Sequence, residues 1–108
     1  MITYDDFAKL DIRIGTVTSA ERIEGADKLL KLIVDLGAET RQIVAGIAQT
    51  VTDPTELVGK QLPILCNLEP RTLRGVESQG MMLAASDEQD MAVLLHPAHQ
   101  IPNGSTIQ

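Results

Sequence analysis

Every second residue from Leu30 to Leu36 is apolar, and this spacing indicates a β-strand. Leu30, Leu32, Val34 and Leu36 occupy every second position, whereas Lys31 and Asp35 fall between them together with Leu29 and Ile33. A period of two residues places one set of side chains on one face of a strand. We therefore predict a strand whose core face carries the three leucines and the valine.

Two flanking segments have related patterns. Ile12 and Ile14 alternate with Arg13 in residues 10–18, and Gly15 interrupts the phase, which predicts a β-bulge there. A turn is expected over 25–28. Residues 37–40 resemble a hairpin connection to a further strand over 41–48. Three strands with short links predict an antiparallel meander.

One helix start follows the meander. Asp53 can cap, Pro54 suits the first helical position, Glu56 lies three residues after the cap, and Gly59 ends the helix. Beyond it we predict a strand over 61–68, in which Pro63 indicates an edge or a bulge. A polar loop over 69–79, strands over 81–85 and 91–95, and a turn over 86–90 complete the pattern.

The order of these elements predicts an all-β OB-fold, a five-stranded Greek-key barrel with a short helix between strands three and four. A small sandwich or an SH3-like barrel has a similar pattern, but the position of the helix favours the OB-fold.

Composition sets limits on compartment and class. The chain has 108 residues, which suits a single domain over 1–108, and it contains one cysteine, so no internal disulfide can form. The acidic N-terminus lacks the character of a signal peptide, and no apolar run approaches the roughly 20 residues that span a bilayer. We expect a cytoplasmic protein with no membrane partner. That the fold begins directly after Met1 slightly favours a free-standing protein over an excised domain.

Charge is distributed unevenly along the chain. The net charge is −6, which opposes nonspecific binding to long duplexes. Residues 58–76, however, contain three cations, Lys60, Arg71 and Arg74, and only one acid, Glu69. A local basic patch is therefore expected on an acidic protein.

Few residues suit catalysis. Cys66 lies in an apolar stretch, where a buried, inert thiol is the better interpretation. His96 and His99 have no partnering cysteines, so a solvated loop is a better interpretation than a metal site. No phosphate-binding glycine loop occurs. We expect no enzyme activity, no cofactor and no metal.

Residues 67–81 contain the densest set of groups that can bind nucleic acid. Arg71 and Arg74 can present forked donors to phosphates, and Asn67, Ser78 and Gln79 can hydrogen-bond to sugars or bases. An equally weighted alternative is a solvated loop in which the arginines pair with acids. The only aromatic residues are Tyr4 and Phe7, so recognition should depend on shape and backbone more than on stacked bases.

From this segment outward the chain resembles the tRNA-binding domain family. That family includes the C-terminal extension of bacterial methionyl-tRNA synthetases and free-standing structure-specific tRNA-binding proteins. The matching stretches are residues 7–15, 26–32, 34–37, 41–47, 56–60, 67–71, 73–81 and 102–105, and the resemblance runs from about Ile2 to the end.

The resemblance implies a non-catalytic module that binds tRNA by its overall shape, forms a homodimer through a C-terminal extension, and assists a synthetase catalytic subunit. The RNA-binding residues that it implies are Lys28, Lys31, Arg41, Asn67, Arg71, Arg74, Ser78, Gln79 and Met81. Met81 could instead pack in the core, and Lys28 and Lys31 could simply be solvated. Thr72, Gly25 and Thr106 depart from the family pattern, and the loss of cations at positions 72 and 106 predicts weaker binding than in a basic relative. Two alternatives are a chaperone-like peptide-binding dimer, at which Ile101 to Gly104 hint, and a dimerisation domain that has lost RNA affinity.

Overall fold

The computed structural model describes all residues from 1 to 108, and most of its regular structure is antiparallel β-sheet. In chain order the elements are helix α1 Tyr4–Ala8, β1 Ile12–Ile23, β2 Ala26–Asp35, β3 Thr40–Ala45, a 3-10 helix Pro54–Leu57, β4 Gln61–Leu65, β5 Arg71–Leu73, β6 Val76–Ser78, β7 Met81–Met82, β8 Ala84–Ser86 and β9 Ala92–Leu94. No helix is long and apolar enough to cross a bilayer.

Five strands form one sheet in the order β3-β2-β1-β4-β7, and two separate hairpins, β5–β6 and β8–β9, lie beside it. Strands β1, β2 and β3 form the predicted meander, and the 3-10 helix lies between the third and fourth strands as predicted. The OB-fold is confirmed. Because β3 and β7 lie at opposite ends of the sheet and share no ladder, the barrel is open between them.

The predicted face of β2 forms the centre of the core. Leu30, Leu32 and Val34 are fully buried and Leu36 is 2% exposed. They belong to one cluster with Ile43 of β3 and residues of β4.

The bulge predicted at Gly15 is wrong. The β1–β4 register is continuous from Ile12 to Thr16, and the β1–β2 register shifts only further along, between Val17 and Ser19 and between Arg22 and Ile23. Glycine is needed at position 15 for close packing, since a Cβ atom there would lie 2.4 Å from Cγ1 of Val34.

Pro63 lies in an interior strand, contrary to the predicted edge or bulge. β4 pairs with β1 on one side and with the two-residue strand β7 on the other. The carbonyl of Pro63 accepts from the N–H of Leu83 at 3.0 Å, so the missing proline donor also faces the β7 side. Since β7 is so short, the sheet tolerates the missing donor.

One element was not predicted, and one further prediction is wrong. Helix α1 was missed, although Thr3 and Asp6 form a capping box at its start. The expected polar loop over 69–79 contains the β5–β6 hairpin instead. The sequence did not reveal this hairpin, because neither of its strands has alternating apolar residues that form a buried face.

Candidate nucleic-acid interface

The β5–β6 hairpin displays Arg71 and Arg74, the two arginines predicted to contact phosphates. Arg71 pairs with Ser78 and Leu73 with Val76, so Arg74 and Gly75 form a two-residue turn. Both turn residues have positive φ, 52° for Arg74 and 79° for Gly75. Two positive φ angles are typical of a type I′ turn, in which Asn, Asp or Gly is preferred at the first position. Arg74 therefore occupies a left-handed conformation that its side chain disfavours, at the exposed tip of the hairpin.

Hydrogen bonds attach this hairpin to the edge strand β3. The Ser78 hydroxyl accepts from the N–H of Val44 at 2.9 Å and donates to the carbonyl of Gly80 at 2.9 Å. Oε1 of Gln79 accepts from the N–H of Gln42 at 3.0 Å, and the Gln42 side-chain amide donates to the carbonyl of Glu77 at 2.8 Å. Two residues that the resemblance assigned to RNA thus use polar groups to position the hairpin.

Asn67 is exposed, but its side chain is also hydrogen-bonded within the protein. Its amide donates to the carbonyl of Lys9 at 2.6 Å and its Oδ1 accepts from the N–H of Asp11 at 2.9 Å. These bonds fasten the segment after β4 to the start of β1. The side-chain oxygen and nitrogen both have protein partners.

Two of the cations implied by the resemblance are held by acids. Nζ of Lys31 lies 2.6 Å from Oε1 of Glu21, its direct partner across the β1–β2 ladder. Nη2 of Arg41 lies 2.9 Å from Oε1 of Glu39. Arg41 also donates through Nη1 to the carbonyls of Cys66 and Gln79, so its half-buried guanidinium joins β3 to the segments after β4 and β6.

Lys28, Arg71 and Arg74 differ from those two residues, and we call them the cationic cluster. No carboxylate oxygen lies within 4.0 Å of their charged nitrogens, since the four ion pairs involve Lys9, Arg13, Lys31 and Arg41. Lys28 and Arg74 line one cleft of about 380 Å³, which also contains Asp27. The alternative in which the arginines pair with acids is therefore wrong for Arg71 and Arg74.

Met81 lies beside this cluster and is exposed. Its neighbour Met82 is 9% exposed and packs in the core, whereas Met81 is 41% exposed. Met81 lines a depression of about 400 Å³ at the opening between β3 and β7, which we call the apolar recess; its other lining residues include Val44, Ala45, Ile47, Leu73 and Arg71. Arg71 is the only charged residue in that lining.

Cys66 does not have the environment of a nucleophile. It is 5% exposed, and burial is the largest effect on its thiol, whose pKa is raised above the ordinary value even though Arg41 acts in the opposite direction. A neutral, buried thiol is a poor nucleophile.

His96 uses Nδ1 to contact the carbonyl of Gln61 at 2.8 Å, and with His99 and Lys60 it lines a shallow polar depression.

A second surface, on the opposite face of β1, is apolar. Ile12 and Ile14 are buried outside the main core, and the C-terminal segment covers them. The N–H of Ile14 donates to the carbonyl of Ser105 at 2.8 Å, and the N–H of Ile107 donates to the carbonyl of Ile12 at 2.9 Å. The resulting outer groove, about 310 Å³ in volume, is lined by Ile12, Ile14, Pro63, Leu83, Leu95, His96, Pro97, Ile101 and Ile107. The sequence pattern gave no indication of this groove, because its lining comes from four separate segments.

Gln61 holds the C-terminal segment in place. Its amide donates to the carbonyl of Ile101 at 2.6 Å and to Oδ1 of Asn103 at 3.1 Å, and its Oε1 accepts from the N–H of Ile101 at 3.1 Å. Gln61 is 5% exposed and fully hydrogen-bonded. The role of Gln61 could not be predicted from the sequence, because its hydrogen-bond partners lie about forty positions away.

Residues 12–106 match the family model described as "Putative tRNA binding domain", and the chain belongs to that family. It is 56% identical over 108 residues to a methionine–tRNA ligase of Methanococcoides burtonii and 49% identical over 107 residues to that of Flavobacterium johnsoniae. Each match covers 99% of this chain but only 16% and 15% of those two ligases. The chain therefore corresponds to a small part of such ligases.

Solved structures of similar chains have the same fold. A MetRS-related protein from Pyrococcus horikoshii is 40% identical, with a TM-score of 0.94 and coverage of 100% of this chain and 98% of that one. The chaperone CsaA from Bacillus anthracis is 34% identical, with a TM-score of 0.91 and coverage of 100% and 99%. Both are similar to this chain over its whole length.

Proposed function

We propose that this domain is a non-catalytic module that binds tRNA by contacts to its backbone and adds tRNA affinity to an aminoacyl-tRNA synthetase of the methionyl type. The observation that supports it most directly is the cationic cluster, in which two arginines of one hairpin and a lysine that shares a cleft with one of them have no carboxylate partner. Membership of the tRNA-binding domain family supports the same ligand.

The cluster suits phosphate groups even on a protein of net charge −6. Arginine presents a planar fork of donors that matches phosphate oxygens, and lysine adds a mobile point charge. Arg71 and Arg74 lie in the short antiparallel hairpin and Lys28 borders the cleft at its tip. A phosphate chain following the hairpin would meet these cations in turn. We expect Lys31 and Arg41 to contribute less, because each already has a carboxylate partner.

Asn67, Ser78 and Gln79 act in this proposal as positioning residues. Their side chains are hydrogen-bonded within the protein, and those bonds fix the hairpin and the segment before it. Rigid placement of the cations reduces the conformational entropy lost on binding.

We also propose a homodimer that forms through the outer groove. The groove is apolar, lies on the face away from the main core, and is completed by the C-terminal segment. Leu95 and Ile107 at its border are 44% and 40% exposed. A second copy would remove this surface from water and would double the number of cationic clusters available to one tRNA.

The protein partner of this domain would be a synthetase catalytic subunit in the cytoplasm. The two would be joined in one longer chain or would associate as separate chains. The similarity to a small part of methionine–tRNA ligases supports this assignment.

A salt titration of tRNA affinity tests both the binding and the dimer. For duplex DNA, log affinity falls with log salt by about 0.9 per phosphate contact, so three contacts predict roughly a fortyfold loss between about 50 and 200 mM salt. Six contacts in a dimer predict a loss of about a thousandfold or more over the same range. Sedimentation of the free protein would determine the number of copies independently.

Charge reversal then locates the contacts. Arg71→Glu combined with Arg74→Glu should weaken binding to all tRNAs alike and lower the salt slope. Arg71→Glu and Arg74→Glu made singly have Lys9→Glu as their matched control, because it changes the net charge by the same amount and Lys9 is exposed in a solvent-facing pair with Asp6. Equal effects of the control and the test variants would remove the cluster from the interface.

The outer groove also favours a second function, the binding of apolar peptides, since the chain is 34% identical to a chaperone of the CsaA type. Under that alternative an unfolded polypeptide would compete with dimer formation, and the double arginine variant would bind it normally. Dimer formation without any tRNA affinity at low salt would instead support the dimerisation domain.

A further inference from the structure

We propose that the apolar recess between β3 and β7 receives one unstacked base of the RNA, while Arg71 at its border holds the adjoining phosphate. The inference rests on the proposed tRNA binding and adds to it a contact that the scarcity of aromatic residues would not suggest. Its basis is the combination of an open barrel, an exposed methionine and one arginine without a carboxylate partner.

The recess exists because the sheet does not close. β3 and β7 are the end strands of the five-stranded order, and no ladder joins them. The Gln42 and Ser78 side chains link β6 to β3 as far as Val44, and the end of β3 from Val44 onward lines, with residues of β5 and β7, a depression about 400 Å³ in volume. This volume lies within the range of roughly 300–1,000 Å³ found for small-ligand sites.

Its lining suits a flat, weakly polar ring. Val44, Ala45 and Ile47 are buried and form the floor, whereas Met81 and the half-buried Leu73 form the sides. A methionine thioether makes favourable contacts with aromatic rings. Gly46 faces open space, with no atom within 4 Å of the position a Cβ would take, so it leaves the entrance clear.

The charge at the border selects the kind of ligand. Arg71 is the only charged lining residue, and no carboxylate lies within 4.0 Å of its guanidinium nitrogens. A nucleotide combines an aromatic base with one negative charge a short distance away, which matches an apolar recess bordered by one arginine. An apolar peptide segment would fill the recess but would leave the arginine unused.

NMR of methyl groups in methionine and alanine tests the proposal directly. A base inserted against Met81 should move the methyl signals of Met81 and Ala45 upfield through its ring current, whereas Met1 at the N-terminus should not move. A transcribed tRNA should produce this shift, and a blunt RNA duplex, which has no unstacked base, should bind more weakly and leave the Met81 methyl unshifted.

Variants give a second measurement. Met81→Ala should lower tRNA affinity about two- to tenfold, within the range expected for a thioether contact with one ring, and Met81→Leu should restore most of it. Val93→Ala is the control, because Val93 is exposed on β9 and does not line the recess. The salt slope should be unchanged in Met81→Ala, since no phosphate contact is removed.

The outcomes separate this inference from the proposed function. If tRNA binds with the expected salt dependence but the Met81 methyl does not shift, the recess holds no base and only this inference fails. If tRNA does not bind at low salt, both fail. A shift of Met81 caused by an apolar peptide and not by tRNA would assign the recess to peptide and also overturn the inference.

Discussion

The hydroxyl of Ser78 accepts a hydrogen bond from the backbone N–H of Val44 at 2.9 Å, and this bond attaches the β6 strand to the edge of the sheet. Ser78 is 5% exposed, so water would not take the place of its hydroxyl as the acceptor if the serine were replaced. Together with the Gln42 and Gln79 side chains, Ser78 thus fixes where the hairpin and its two arginines lie relative to the barrel. Ser78 lies close to Arg71 and Arg74 because it holds their hairpin against β3, and a side chain this buried is not free to contact RNA.

Ser78→Ala should therefore lower the free energy of unfolding by about 1–3 kcal/mol, because the Val44 N–H stays buried without a partner. Urea denaturation would measure the loss. Ser86→Ala, at an exposed position on β8, serves as control and should change stability little. Equal stability of the two variants would show that Val44 finds another acceptor.

Arg74→Asn should raise stability and weaken tRNA binding at once. Asparagine is preferred where φ is positive at the first turn position, so the strain at φ 52° is relieved by about 0.5–1 kcal/mol. The same change removes one cation from the cluster. Urea denaturation and a tRNA binding assay on one preparation would check both effects. Gly75→Ala, which places a side chain at φ 79°, should destabilise the turn without removing charge. If Arg74→Asn loses stability, the arginine is held by contacts within the protein.

Gly15→Ala should destabilise the barrel by roughly 1–3 kcal/mol through overpacking. The added Cβ would lie 2.4 Å from Cγ1 of Val34 and 2.9 Å from the carbonyl oxygen of Asp35, and the latter belongs to backbone that cannot easily move. Gly46→Ala is a matched control, because nothing lies within 4 Å of its new Cβ. Thermal unfolding of the two variants would compare them, and similar melting temperatures would contradict the close packing of β1 on β2.

Acid should weaken the start of the 3-10 helix through Asp53. Hydrogen bonds from the hydroxyl and the N–H of Thr55 lower the pKa of Asp53 below its ordinary value of 3.8. Since the folded pKa is the lower one, this contribution to stability is present above pH 3.8 and is lost as the pH falls through the folded value. Stability measured against pH should therefore decline less steeply in that acidic window for Asp53→Ala than for the unaltered protein. Parallel curves for the two proteins would show that the cap bonds do not depend on the carboxylate charge.

Local patterns predicted much of the fold. The alternation in residues 29–36 identified the buried face of β2, and Asp53 with Pro54 located the short helix, because both depend on neighbours within a few residues. The capping box of Thr3 and Asp6 was equally local and could have been found. The β5–β6 hairpin could not be recognised from a buried face, since its strands are three residues long and largely exposed.

The candidate site divides in the same way. The sequence by itself determined that cations and amides concentrate in residues 67–81, that the chain is too poor in aromatic residues for a stacking platform, and that its motifs are those of one family. Only the tertiary structure decided that Lys31 is neutralised by Glu21, that Arg41 also donates to the carbonyls of Cys66 and Gln79, and that Lys28, Arg71 and Arg74 are left without carboxylate partners. The physical reason is that an ion pair depends on which strands become neighbours and in what register, and the Lys31 pair joins residues ten positions apart across a ladder. Opposition across a sheet is a property of the folded chain, whereas composition and alternation are properties of the sequence.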